Sequence, residues 1–259
     1  MARPKKREGP LDDVQTLLVA LNLTTTAEAL PRLLAEAESK SPSYSEFLRA
    51  VLEVEQAARF DRKIQRRIRW SKLGPYVSLD AFNFADRPQL SPQVVRELLA
   101  CRFIEERRNL ILVGKPSTGK TTVAKAIGHA ACRKAHSVYN GSTIEILETL
   151  HAGRADGTYR KAFRRVTSPD LLILDDAGFG DLGKQATNEL FRLVCARYQQ
   201  KSTIVVTNLP FKRWGEFIPS AAQAVAIADR LIHDATILRF TGKPYRPPRD
   251  IHGAPIDDE

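Results

Sequence analysis

The sequence predicts an α/β fold: a parallel five-stranded sheet flanked by helices, preceded by a small all-helical domain. Three stretches carry that expectation. Leu110-Ile111-Leu112-Val113 is a short apolar run that passes straight into a glycine-bracketed loop and then a helix. Leu171-Leu172-Ile173-Leu174 is a second apolar run, bounded by Pro169 and Gly178, and it ends in two carboxylates, Asp175 and Asp176. Thr203-Ile204-Val205-Val206-Thr207 is β-branched throughout and ends at Asn208. Uninterrupted apolar strands of this kind are buried on both faces, as parallel strands are.

The amino-terminal third reads as helical. Leu11, Val14, Leu17, Leu18 and Leu21 recur at helical spacing. Thr25 with Glu28, and Ser43 with Glu46, fit the capping box that opens a helix. The second box starts a long helix, roughly Tyr44 to Trp70, which Gly74-Pro75 must end. Its far end carries Arg59, Arg62, Lys63, Arg66, Arg67 and Arg69, offset locally by Asp61 alone. Such a cationic stripe suits a phosphate backbone, and these six residues are the candidate DNA contacts; a solvated helix face is the competing reading.

Residues 74–92 look like a linker, containing Pro75, Pro88 and Pro92, whose aromatics Tyr76, Phe82 and Phe84 should lie along the next domain. Ser91 as N-cap and Pro92 as first helical residue then open a helix with Val95, Leu98, Leu99 and Phe103 on one side. The expected division is 1–73 helical, 74–92 linker, 93–250 nucleotide-binding domain, and 251–259 a mobile tail.

The loop Gly114-Lys115-Pro116-Ser117-Thr118-Gly119-Lys120-Thr121 is a nucleoside-triphosphate P-loop in the context that motif requires, strand before and helix after. Polyphosphate must be wrapped by successive backbone N–H groups, and glycines are needed where a Cβ would clash. The following helix adds its free amides and the positive end of its dipole. Lys120 should reach the β- and γ-phosphates of ATP, and the Thr121 hydroxyl should join the Mg²⁺ shell. Thr122 closes the candidate nucleotide-binding set.

Ser137 to Asn140 is the second strand, and Ser142 with Glu145 should cap a helix running to about His151. A basic segment follows, with Arg154, Arg160, Lys161, Arg164 and Arg165 beside Tyr159 and Phe163; DNA contact and a solvated face are equally compatible with it. Asp175 and Asp176 end their strand where α/β sheets bind ligands. Read as a Walker B pair, Asp175 holds Mg²⁺ through water and Asp176 orients or polarises the attacking water. After a helix from Asn188 to Gln200, Asn208 ends the next strand, where its amide can bond the attacking water or γ-phosphate, or else form a turn before Leu209-Pro210. Ala221 to His233 is helical, and Thr236 to Phe240 is the fifth strand.

Composition narrows the partners. The 259 residues carry a formal net charge of +10, which makes an acidic polymer a natural partner. Cys101, Cys132 and Cys195 are scattered, with no metal-ligand spacing, and read as reduced thiols of a cytoplasmic protein. No run approaches the roughly 18 apolar residues of a membrane span, so no membrane association is expected.

Strand, P-loop, paired carboxylates and Asn-ended strand in this order imply an additional-strand P-loop ATPase. With Ser45-Glu46-Phe47-Leu48, Glu53 to Arg59, Leu79 to Phe84, Thr207-Asn208-Leu209-Pro210 with Trp214, Asp229-Arg230-Leu231-Ile232-His233, and Tyr245-Arg246, the chain resembles the IstB-type transposition helper ATPases. These are AAA+ proteins close to the DnaC helicase loaders and DnaA initiators. The resemblance implies that Asn208 is a sensor residue, that Arg230 is an arginine finger for a neighbouring subunit's site, and that Arg246 is a second sensor. It implies ATP-dependent self-assembly on double-stranded DNA, a partner transposase, and an extra DNA-binding and filament-forming helix at about Ser142 to His151. Lys115, Thr122 and Asp176 depart from the family's usual proline, histidine and glutamate, and the last predicts slow, DNA-stimulated hydrolysis. The alternatives are a helicase loader that prefers single strands, and a nucleotide-gated scaffold without useful catalysis.

Overall fold

The computed structural model describes residues 9–79, 82, 84 and 90–241. Arg246, the 251–259 tail, the basic stretch Arg3 to Arg7, and Pro88 lie outside them. Contacts within the chain divide it into two units, Met1–Arg66 and Arg67–Glu259.

The first unit contains α1 (Pro10–Ala20), α2 (Thr24–Lys40) and most of α3 (Tyr44–Ser71). Ser43 caps α3 as expected: its backbone N–H donates to Glu46 Oε2 at 2.8 Å, and Glu46 N–H donates to Ser43 Oγ at 3.3 Å. The expected Thr25 box does not form. α2 starts two residues earlier, at Thr24, with Leu23 at the N-cap and no side-chain cap. Thr25 Oγ1 instead accepts from Arg62 Nη1 at 3.0 Å, because the tertiary contact competes for the same oxygen.

In the second unit, α4 (Pro92–Leu99) is capped by Ser91 Oγ, which accepts from Val94 N–H at 3.2 Å. The helix does not continue to Phe103. Cys101 takes φ +62°, which breaks the turn, and Phe103 falls on the short α5 (Arg102–Glu105). β1 (Leu110–Gly114), α6 (Lys120–Arg133), β2 (Val138–Ser142), α7 (Thr143–Ala155) and α8 (Tyr159–Thr167) follow. Ser142 stands at the N-cap of α7 without a side-chain hydrogen bond, so the box with Glu145 is not made, and α7 extends past His151. Then come β3 (Leu171–Ala177), α9 (Lys184–Arg197), β4 (Ser202–Thr207), a 3₁₀ turn at Phe211–Glu216, α10 (Ala221–Ile232) and β5 (Thr236–Phe240).

All pairings are parallel, in the order β2-β3-β4-β1-β5. Alternation along each strand feeds two cores. Leu110, Leu112, Ile173, Ile204 and Val206 pack with Val123, Ile127 and Ala131 of α6 on one face. Ile111, Leu172, Leu174 and Val205 pack with Leu147, Leu190, Leu193, Ile227 and Leu231 of α7, α9 and α10 on the other. Both sheet faces are covered, so β1, β3 and β4 deliver their carboxyl ends to one edge, where polar residues can gather.

Candidate nucleotide site

The carboxyl end of β1 turns through the loop into α6, and sterics dictate its glycines. A Cβ on Gly114 would lie 2.1 Å from the Phe240 carbonyl oxygen of the neighbouring strand, so only glycine fits. Gly119, the N-cap of α6, sits at φ +93°, a conformation that L side chains avoid. The loop, α6 and the carboxyl ends of β3 and β4 border a cavity of about 820 Å³. Pro116, Ser117, Thr118, Gly119, Lys120, Thr121, Thr122, Lys125, Asp176 and Asn208 line it, and the preceding segment closes it with Val77, Ser78 and Phe82. Gly114 and Lys115 stand behind this wall and contribute carbonyls. Lys120 Nζ donates to Gly114 O at 2.7 Å and Lys115 O at 2.6 Å. Burial pushes the Lys120 ammonium down to about 8, against the pull of Asp176 and Asp175.

Thr121 Oγ1 donates to Asp175 Oδ1 at 3.0 Å, and Asp176 N–H reaches the same oxygen at 3.1 Å. Burial raises the Asp175 pKa above the usual carboxylate range and the neighbouring Asp176 adds to this, while the Thr121 bond opposes it. One hydroxyl and two carboxylates in a half-buried, anionic corner are hard oxygen donors, which fit Mg²⁺ that keeps waters and phosphate oxygens in its remaining positions. Asp176 is exposed, at φ +52°, where the β3–β4 register shifts between Leu174 and Ala177. That irregularity ends the ladder and turns the second carboxylate out of the strand into the cavity.

Arg230 does not line the cavity. It lies on α10, with Nη1 donating to the Ala226 carbonyl at 2.8 Å and its guanidinium 5.4 Å from the Phe191 ring of α9. Arg246 lies outside the described residues.

The six candidate DNA contacts divide. Arg59 Nε and Arg62 Nη2 both bind Glu55 Oε1, at 3.1 and 2.6 Å, and Glu55 is itself buried. Their charge is thus partly offset by a carboxylate one turn upstream of the stripe. Lys63, Arg66 and Arg69 are exposed. Arg67 points inward: its Nη1 is buried without a hydrogen-bond partner, and its charge only partly opposes the burial that pushes the Cys132 thiol up to about 11. In the second unit, α8 exposes Arg160, Lys161, Arg164 and Arg165 with no acidic residue along the helix.

Sequence reasoning missed Val77, Ser78 and Lys125 as cavity residues. Lys125 stands one helical turn after Thr121, a spacing that would have flagged it. The unexplained aromatics of the linker were the available signal for the other wall.

Fold and site together define an AAA+ P-loop ATP-binding protein. The chain belongs to the IstB-like ATP-binding protein family, whose model matches residues 16–251. It is 32% identical over 226 residues to the insertion sequence IS5376 ATP-binding protein of Geobacillus stearothermophilus, covering 87% of this chain and 90% of that one. It is 31% identical over 236 residues to the insertion sequence IS21 ATP-binding protein of Pseudomonas aeruginosa, covering 91% and 89%. Among solved structures, DnaI matches with a TM-score of 0.53 and 18% identity over 67% of this chain and 92% of that one. AMPPCP-bound DnaA from Aquifex aeolicus matches with a TM-score of 0.54 and 20% identity over 65% and 51%. These two likenesses show the fold. No described helix is long and apolar enough to cross a membrane.

Proposed function

We propose that this protein is an ATP-dependent DNA-binding transposition helper: it assembles on duplex DNA when ATP binds, recruits a transposase, and is released by hydrolysis. The observation that carries the reading is the separation of Arg230 from an otherwise well-furnished triphosphate site. Among the described residues, one subunit supplies phosphate ligands, metal ligands and a carboxylate for the attacking water, but no arginine to the cavity.

In this reading the loop amides and α6 bind the triphosphate, and Lys120 turns from the Gly114 and Lys115 carbonyls to the β- and γ-phosphates. Thr121 and Asp175 hold Mg²⁺, which neutralises charge developing on the phosphate oxygens. Asp176 accepts a hydrogen bond from the attacking water and orients it, and Asn208 donates to the water or γ-phosphate. Arg230 enters the neighbouring subunit's cavity and stabilises the transferring phosphoryl group, so hydrolysis requires assembly. The exposed cations of α8, together with Lys63, Arg66 and Arg69, neutralise DNA phosphates. The transposase rests on the insertion-sequence relatives.

Mixing two inactive variants tests the shared site. Asp176→Asn keeps its finger and Arg230→Ala keeps its cavity, so the mixture should hydrolyse ATP although neither protein does alone. Failure of the mixture to recover activity, with both variants binding ATP and assembling, would exclude a site completed in trans.

A further inference from the structure

The cavity has two kinds of wall. One is the P-loop, built for phosphates; the other is Val77, Ser78 and Phe82, mainly apolar and suited to a nucleoside. Segment 73–79 has no regular secondary structure, so something other than a backbone ladder must hold that second wall in place. Phe82 and Leu73 join the hydrophobic core, and the polar and ring contacts of Pro75 and Tyr76 come from the far end of α6, the helix that the P-loop starts.

His129, nearly fully buried, places Nε2 3.1 Å from the Pro75 carbonyl. A carbonyl only accepts, so Nε2 carries the proton; Nδ1 is then a bare acceptor, buried and without a partner. Burial, aided by Arg133 and Lys125 and opposed by the Pro75 bond, keeps the imidazole neutral. Tyr76 packs edge-on against the His129 ring, with centroids 5.4 Å apart, and Arg133 lies 4.5 Å over the Tyr76 ring. One residue before His129, a Cβ on Gly128 would meet Leu73 Cδ2 at 2.6 Å, so the glycine lets the start of the segment seat against the helix. Phosphate wall and nucleoside wall are therefore mounted on the two ends of one rigid helix.

We propose that His129 is a positioning residue for nucleoside recognition: its Nε2–H bond to Pro75, braced by Tyr76 and Arg133, sets the wall formed by Val77, Ser78 and Phe82. The proposal rests on the cavity being the ATP site. Loss of the bond leaves the triphosphate contacts intact and frees only the wall that touches base and ribose.

Calorimetric titration of ATP, GTP and inorganic tripolyphosphate distinguishes these parts. His129→Leu should weaken ATP about tenfold, erode any preference between ATP and GTP, and leave tripolyphosphate within about twofold of wild type. His129→Gln, which retains an N–H donor, should recover most of the ATP affinity. Tyr76→Ala, at a residue 58% exposed, should weaken ATP but not tripolyphosphate even if His129→Leu folds poorly. Unchanged ATP affinity in His129→Leu and Tyr76→Ala, or equal losses for ATP and tripolyphosphate, would overturn the proposal. Lys120→Ala should weaken both ligands; wild-type protein that binds neither would overturn the ATP reading as well.

Discussion

Thr121 and Asp175 are 54 residues apart in sequence, yet the hydroxyl of one donates to the carboxylate of the other at 3.0 Å. The bond joins the first turn of α6 to the end of β3, so the phosphate-binding helix and the acidic strand are held as one unit. Asp175→Asn removes the charge that a divalent cation needs while preserving the shape. Mg²⁺-dependent hydrolysis should fall at least about 100-fold. ATP binding in EDTA should change little, as titration calorimetry would read.

Asp176 tests whether the protein is an ATPase or a scaffold. Asp176→Asn should lower kcat by about 10²-fold or more with little change in ATP affinity, the range for loss of a positioned acid–base group. Identical turnover in the variant, measured by phosphate release with DNA present, would favour the nucleotide-gated scaffold.

The buried Lys120 sets a pH dependence on binding. Its pKa is about 8 before nucleotide binds, and triphosphate raises it by supplying negative charge. Binding therefore takes up a proton between those two values. ATP affinity should be level below pH 8 and weaken as pH rises through 8, approaching about tenfold per unit. Lys120→Arg, charged throughout, should lack this dependence whatever its absolute affinity.

Arg197 is 2% exposed and donates to the carbonyls of Val166, Thr167, Pro169 and Ser202 and to Thr203 Oγ1. It ties the end of α8 to the starts of β3 and β4. Arg197→Leu strands those acceptors and should destabilise the protein by about 3 kcal/mol, seen as a Tm lowered by roughly 6–12 °C.

On DNA, Lys63→Ala, Arg66→Ala and Arg69→Ala should each weaken binding uniformly across sequences and reduce the salt slope by about 1. Arg59→Ala and Arg62→Ala should do less, because Glu55 already engages both. Arg67→Ala should alter thermal stability rather than the salt slope.

Strands and phosphate loop were legible in the sequence because their signals are local: an apolar run such as Leu171 to Leu174 cannot be solvated, and the loop glycines answer to immediate sterics. Tertiary competition was not legible. Thr25 looked like a cap until Arg62 took its oxygen, and Cys101 broke a helix whose apolar spacing ran on to Phe103. The cationic stripe overstated its free charge, since Glu55 lies just before it and Arg67 turns inward. His129 gave no signal at all, because its partner is a backbone carbonyl 54 residues upstream.

Sedimentation velocity with a non-hydrolysable ATP analogue and a duplex of several helical turns tests the central claim most directly. The account predicts a nucleotide-dependent assembly of many subunits on the duplex, lost in Lys120→Ala. Protein that remains monomeric and off the DNA while saturated with the analogue would contradict it.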